Sequence, residues 1–328
     1  MNIDKYLIEK GKIIEDYLKA VIPSDDSIPI LYSGMRYALS SGGKRLRPIL
    51  AMAVAEAVGG DYHDVLSYAA AIEIIHNFTL VHDDIEDGDK TRRNMPAVWV
   101  KYGLAHGINI GDALFAYAFK ILADSDYTPR LKATLLKILS NTVFEISEGQ
   151  ALDMSFRNES HITENDYFKM IIKKTGVLFS AALEGSALIS GANSDILQML
   201  REYGRNIGPA FQIRDDLLDL TEGKGRDAIG NDIREGKRSL MVVYCINKCD
   251  EHTKNELLSI LDKGREKVTN DDVSRAIEIF RTSGALQYAE KCCNKLAQRA
   301  KLAIQQFPKS DAKSLLTELA NYIITRTK

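Results

Sequence analysis

Two long apolar stretches of this chain end in the same acidic pattern, and that repetition constrains the fold more than any other feature. The first runs into His82-Asp83-Asp84-Ile85-Glu86-Asp87, the second into Arg214-Asp215-Asp216-Leu217-Leu218-Asp219. Both copies read Asp-Asp-x-x-Asp. Residues four apart share a face of an α-helix, so Asp83 and Asp87 point one way, as do Asp215 and Asp219. Carboxylates gathered at the end of an apolar helix repel one another unless a cation lies among them. Hard oxygen ligands suit Mg2+, which keeps several waters and borrows further ligands from a substrate phosphate. Two facing clusters would hold a phosphorylated substrate between them through bridging ions.

The rest of the chain also reads as helix. Met1 to Ala20 mixes charge with Tyr6, Leu7, Ile13, Ile14, Tyr17 and Leu18, which predicts an amphipathic helix and not a signal peptide. Ile22 to Ile30 reads as a loop, and a helix resumes near Leu31 to Ser40. Ser41-Gly42-Gly43 breaks it, and Pro48 is expected as a first helical residue. The apolar run Ile49 to Val58 ends at Gly59-Gly60. Val65 to His82 carries few charges and predicts a helix buried on most sides. Asp87 to Pro96 predicts a loop. Helices are expected over Gly111–Asp124, Arg130–Phe156, Thr163–Ser190, Ser194–Leu220 and Leu240–Lys248, with three more segments to the C-terminus. Gly223 to Gly236 reads as a charged, glycine-rich loop. Strand alternation is nearly absent. The expectation is one all-α domain over residues 1–328, a bundle of roughly ten or more helices.

Composition narrows the partners. Hydrophobic residues make up 45% of 328, enough for a sizeable core, and the net charge of −2 gives no reason to expect nucleic acid or an anionic membrane. No apolar run is long enough for a transmembrane helix. Cys245, Cys249, Cys292 and Cys293 lack a histidine that would complete a zinc pattern. They read as reduced thiols, which suits the cytoplasm.

Basic residues fall where loops meet helices. Lys44, Arg45 and Arg47 stand at a helix start behind two glycines, where backbone N–H groups, the helix dipole and cationic side chains make an anion site. Arg92 and Arg93 follow the first acidic motif. Lys173, Lys174 and Thr175 precede Gly176, and Lys237 and Arg238 follow the second motif. Each feature alone has a plainer reading. A single Asp-Asp-x-x-Asp is a solvated helix end, the Gly-Gly-Lys-Arg run a turn, His76 and Phe78 core residues, and Gln150 and Asp153 face water. Gln212 is harder to dismiss, because it lies among apolar neighbours on the face of Asp215. Alternating acidic and basic clusters suit a substrate with two phosphates.

In this order the motifs resemble the trans-isoprenyl diphosphate synthases, or polyprenyl synthetases, over nearly the whole chain. Gly42-Gly43-Lys44-Arg45-Leu46-Arg47-Pro48 is similar to the family's first signature, and Leu80 to Asp87 with Arg92-Arg93 to its first aspartate-rich motif. Lys174-Thr175-Gly176 is similar to a third block, Gly208 to Asp219 to the second aspartate-rich motif, and Asp232 with Gly236-Lys237 to the block after it. The resemblance implies an all-α fold around a deep central cavity, most often as a homodimer. It implies that Lys44, Arg47, His76 and Arg93 hold isopentenyl diphosphate, and that Arg92, Lys174 and Lys237 hold the allylic diphosphate. Asp83, Asp87 and Asp215 would ligate about three Mg2+, with Asp84 and Asp219 in support. Thr175, Gln212 and the Lys174 carbonyl would offer oxygens to the allylic cation. One departure stands out: where the family carries a lysine five residues before the aspartate corresponding to Asp232, this chain has Asp227. Lys224 and Arg226 are the nearby candidates to replace it.

Carbon–oxygen cleavage builds negative charge on the departing diphosphate, which metal ions and fixed cations stabilise. The allylic cation must be kept from water, so the cavity wall must be apolar. Phe78 lies five residues before Asp83, about 7.5 Å down the axis, with small Thr79 beside it. In similar enzymes an aromatic there goes with twenty-carbon products. Geranylgeranyl diphosphate is therefore the expected product, with farnesyl diphosphate or a mixture as the alternative. A class I terpene cyclase or a non-catalytic subunit on the same fold are further readings. The first would not need Lys44, Arg47 and Arg93; the second would be expected to lose motif aspartates.

Overall fold

The computed structural model describes residues 3–23, 27–221 and 229–325. The candidates Lys224 and Arg226, and Asp227 itself, lie outside them. The described chain is helical nearly throughout: α1 (Ile3–Val21), α2 (Pro29–Ser40), α3 (Leu46–Ala57), α4 (Leu66–Glu86), α5 (Val98–Tyr102), α6 (Leu104–Asp124), α7 (Pro129–Phe156), α8 (Glu164–Ile171), α9 (Val177–Ile189), α10 (Ser194–Asp219), α11 (Asn231–Arg234), α12 (Leu240–Lys248), α13 (Glu251–Leu261), α14 (Asn270–Thr282), α15 (Ala285–Ala303) and α16 (Asp311–Thr325). The all-α expectation holds. Its one exception is a hairpin of two-residue strands, β1 (Thr91–Arg92) and β2 (Met95–Pro96), inside the segment expected to be a loop. Arg93 and Asn94 connect them at φ 53° and 62°, the positive-φ pair of a type I′ turn that matches strand twist.

The chain falls into two compact units. The first comprises Met1–Val143, Leu178–Glu202 and Ile304–Thr317, the second Phe144–Val177, Tyr203–Ala303 and Glu318–Lys328.

The first unit is built around α4. From Tyr68 to Ile75 every residue is buried, seven of the eight apolar. Such a helix needs neighbours on all sides. Ile72, Ile74 and Ile75 are fully shielded, each contributing about 1.5–3 kcal/mol by burial. The Tyr68 hydroxyl donates to the Ala181 carbonyl at 2.7 Å. Gly111 lets α6 approach α4 so closely that a Cβ there would enter the His82 ring. α1 is tied to α3 by a buried lysine: Lys10 Nζ donates to Glu56 Oε1 at 2.6 Å and lies 3.2 Å from the Tyr62 ring centroid, while the Tyr6 hydroxyl donates to Glu56 Oε2 at 2.6 Å. Helix α3 begins at Leu46, so Pro48 is a third helical residue and not the expected first. The reason is Arg45, whose left-handed backbone (φ 47°) turns the chain before the proline is reached.

In the second unit, α12 buries Leu240, Met241, Val242, Val243, Cys245 and Ile246, and α14 and α15 bring Ile279, Phe280, Ala289 and Cys293 into the core. Helix starts are fixed by side chains. Thr163 and Thr269 form capping boxes with Asp166 and Asp272, and Asp250 accepts from Thr253 N–H, each worth about 1 kcal/mol. The helix expected from Thr163 to Ser190 is not continuous: a π-helical turn spans Ile172–Gly176. Four segments, not three, follow α12. No disulfide joins the cysteines, and no helix among the described residues is long and apolar enough to cross a membrane.

Candidate active site

The first unit gathers one set of site residues on the last turns of α4, the hairpin and the start of α3. Asp83 and Asp87 lie four apart at the end of α4, and the Asp87 N–H still donates to the Asp83 carbonyl at 2.8 Å. The shared face expected for them follows. Asp84, on another face, is buried, and its Oδ1 accepts from Arg92 Nε at 2.8 Å. Arg92, read from the sequence as a phosphate ligand, here holds an acidic residue in place. Arg93 reaches back from the hairpin turn to donate to the Gly42 carbonyl, its guanidinium lying against Gly43 where any Cβ would collide with it. Arg47 lies over the Phe179 ring at 4.4 Å, a cation–π contact. Lys44 is exposed.

His76, two turns below Asp83, stands among guanidinium groups. Burial, and then the positive charges of Arg47, Arg93, Arg45 and Arg92, hold its imidazole well below the ordinary histidine range. The ring is therefore neutral and offers a hydrogen bond without adding charge. Burial likewise lowers the Arg93 guanidinium, and the nearby Glu73 carboxylate opposes that shift.

Below the acidic turn lies an aromatic stack. Phe78 packs against His82 at 5.1 Å and Phe115 at 5.3 Å between centroids, and Phe115 against Phe119 at 5.2 Å. Thr79 beside it turns its hydroxyl into its own helix, donating to the His76 carbonyl at 2.8 Å. Phe115 and Phe119, on α6, carried no motif by which the sequence could single them out.

The second unit assembles the other set around the π turn. Lys174 Nζ donates to Asp153 Oδ2 at 2.7 Å, and the Thr175 hydroxyl to Gln212 Oε1 at 3.1 Å. Gln212 Nε2 donates in turn to Asp216 Oδ1 at 2.9 Å. Asp153, expected to face water, is 5% exposed and is a partner of the site. Tyr167, absent from the sequence expectations, lies 3.3 Å from Asp216 Oδ2 through its hydroxyl. Burial and the Asp216 charge push that phenol well above its ordinary range, so it stays a donor. Asp215 is half-buried and Asp219 fully buried. Asp219 Oδ2 accepts the Asp232 N–H at 3.0 Å, which fastens α11 to the end of α10. Lys237 pairs with Glu235 and stands 3.4 Å from Asp232 Oδ1. A small cavity here is lined by Asp153, Tyr167, Lys174, Gln212, Asp216 and Lys237, among others.

Two glycines shape the turn. A Cβ at Gly149 on α7 would fall on the Lys174 backbone nitrogen, and one at Gly208 on α10 would lie 2.5 Å from Gly176 Cα. The widened turn is packed backbone to backbone on both sides, and such turns occur often at functional sites.

Two Asp-Asp-x-x-Asp motifs at helix ends, each followed in the chain by lysine or arginine, mark a class of protein suited to binding diphosphates through metal ions. A profile of the polyprenyl synthetase family matches residues 28–280. The chain is 40% identical over 329 residues to a short chain isoprenyl diphosphate synthase of Methanothermobacter thermautotrophicus, covering 99% of each. It is 39% identical to a geranylgeranyl diphosphate synthase of Methanosarcina mazei, covering 98% of each. Among solved structures, the geranylgeranyl pyrophosphate synthetase of Pyrococcus horikoshii superposes with a TM-score of 0.91 at 37% identity, over 99% of this chain and 100% of that one. The protein belongs to the polyprenyl synthetase family, and is a prenyltransferase.

Proposed function

We propose that this chain condenses isopentenyl diphosphate head-to-tail with allylic diphosphates (dimethylallyl, geranyl and farnesyl) to yield geranylgeranyl diphosphate and release diphosphate. The observation that carries this reading is the vertical order along α4. Carboxylates stand at its C-terminal end, and five residues earlier Phe78 is wedged against Phe115. A diphosphate head held at the acidic end would send its hydrocarbon tail toward those rings.

The donor set suits Mg2+. The candidates are all carboxylate oxygens; Asp83 is half-exposed, while Asp84 is committed to Arg92. Asp83 and Asp87 from one motif, and Asp215 from the other, would be the ligands, with Asp84 and Asp219 supporting them. About three ions, by resemblance to the family, would neutralise the diphosphate and stabilise the charge that develops as it leaves.

The chain's own residues do the rest. Lys44, Arg47, Arg93 and neutral His76 grip isopentenyl diphosphate and hold its double bond toward the allylic carbon. Lys174 and Lys237 bind the allylic diphosphate; Arg92 acts from its place on Asp84. As the carbon–oxygen bond breaks, the Thr175 hydroxyl, the Gln212 carbonyl and the Lys174 backbone carbonyl offer oxygen dipoles to the cation. The isopentenyl double bond attacks it, and the proton then lost passes to the departing diphosphate. Phe78, with Thr79 at its side, limits elongation.

We read the chain as one domain, because the family match runs through parts of both compact units. Homodimerisation is supported by Leu104, Ile108 and Phe115, exposed along one side of α6; sedimentation at micromolar concentration tests it. The four cysteines, read from the sequence as reduced thiols, suit the cytoplasm. The decisive assay supplies isopentenyl diphosphate, farnesyl diphosphate and Mg2+, then removes phosphate and sizes the alcohol. A twenty-carbon alcohol supports the proposal. A cyclic hydrocarbon would make the protein a cyclase, and no product a non-catalytic subunit.

A further inference from the structure

The Gly-Gly-Lys-Arg-Leu-Arg segment carries three cations, and one of them is committed to a buried carboxylate. Arg45 is buried, its side chain 4% exposed. Its Nη1 donates to Glu73 Oε1 at 2.6 Å, and its Nη2 to the Leu39 carbonyl. Glu73 is the single charged residue between Tyr68 and Ile75 of α4, with its side chain 3% exposed. Asn77 completes the arrangement, donating from Nδ2 to the Glu73 carbonyl at 2.8 Å and to Oε1 at 3.2 Å. Arg45 also occupies the left-handed region at φ 47°, directly before α3. A glycine would adopt that backbone without strain. Strained residues persist where their surroundings fix them, and they cluster at functional sites.

A buried ion pair is a poor device for stability alone, since apolar side chains of similar volume hold helices together as well or better. The charges of Arg45, Arg47, Arg92 and Arg93 all reach the buried His76, and Arg93, whose guanidinium lies against Gly43 two residues before Arg45, feels both the Arg45 charge and the Glu73 carboxylate. The mutual repulsion of these cations needs buried negative charge, and Asp84 is already bound to Arg92.

We propose that the Arg45–Glu73 pair is the positioning element of the isopentenyl diphosphate pocket. Arg45 fixes the turn that sends Lys44 outward and lays Arg47 on Phe179. Glu73 supplies the counter-charge that lets Arg47 and Arg93 converge before any ligand arrives. Neither residue touches substrate. The inference rests on the reading of Lys44, Arg47 and Arg93 given above.

Steady-state kinetics of the full chain test it with two variants. Glu73→Gln keeps the shape and the acceptor oxygen but removes the charge. Its KM for isopentenyl diphosphate should rise about tenfold or more, as expected for loss of a charge-assisted interaction. Its kcat and its KM for farnesyl diphosphate should stay within about twofold of wild type, because the transition-state contacts are untouched. The paired substitution of Arg45→Met with Glu73→Leu should melt at or above the wild-type temperature yet keep the raised KM. Wild-type KM for isopentenyl diphosphate in either variant overturns the proposal. So does an equal loss in every kinetic parameter, or failure of both variants to fold, which would make the pair a folding device. A wild-type chain that turns over no isopentenyl diphosphate overturns the functional reading itself.

Discussion

His76 shows how much a single side chain can report. With its folded pKa depressed, it stays neutral in the native state, while the unfolded chain takes up a proton near pH 6.5. Its contribution to stability is complete above about pH 6.5 and is lost as the pH falls from there toward the folded value, at up to about 1.4 kcal/mol per pH unit. Thermal melts from pH 7.5 to 5 should therefore fall more steeply for wild type than for His76→Gln; parallel curves would contradict the burial of a neutral imidazole. Phe78→Ser should lengthen the product by one or more isoprene units, read by sizing the dephosphorylated alcohols. Unchanged lengths would remove Phe78 as the floor and leave Phe115 as the next residue to truncate. The acidic triads and Gln212 stood out in the sequence because each places a polar residue type at a helical spacing in an apolar run, whereas Phe78 stood out only through the resemblance to the family. Glu73 was equally visible as the lone charge in a buried run. What singles it out is a partner 28 positions earlier, and nothing in the local pattern names that partner. Asp153 was misjudged for the same reason, since its lysine lies 21 positions away.

Helices α7, α10 and α12 were legible almost to the residue because apolar periodicity marks them, while α4, expected over Val65 to His82, runs on through the acidic motif to Glu86. The π turn was not legible. Residues compatible with an ordinary helix continue across Ile171 to Leu178 with Gly176 as the single breaker, and we attribute the widening to the close approach of Gly149 and Gly208 on two other helices. Gly149→Ala tests that cause. The added methyl must displace the Lys174 backbone, at a cost of about 1–3 kcal/mol for overpacking. Because Thr175 and the Lys174 carbonyl move with it, kcat should fall by about tenfold or more, as a displacement near 1 Å at a reacting centre can bring. A variant that loses stability but keeps kcat would show that the turn tolerates displacement. The hairpin was missed for another reason. Two-residue strands are too short for alternation, and Arg93-Asn94 is not the Asn-Gly pair that usually announces a type I′ turn.

For the whole molecule, helical periodicity and the near absence of strand alternation were enough to place the chain among all-α proteins. Its division into two discontinuous units was not legible, because residues 178–202 and 304–317 group with the N-terminal part through packing alone. A linkage measurement belongs at this scale. Inorganic diphosphate with Mg2+ at a hundred times its dissociation constant should stabilise the fold by about 2.7 kcal/mol, seen as a rise of several degrees in the melting temperature and reversed by a chelator. No shift, or one indifferent to the chelator, would argue against metal-bridged diphosphate binding. The docking of α1 offers a probe of a different kind. Of the lysines on that helix, Lys5, Lys10, Lys12 and Lys19, the second is 4% exposed beneath Glu56 and Tyr62. An acylating reagent should label its neighbours within minutes and spare Lys10 until the first helix lifts away, so one peptide in a mass spectrum becomes a gauge of how often the amino-terminal segment detaches.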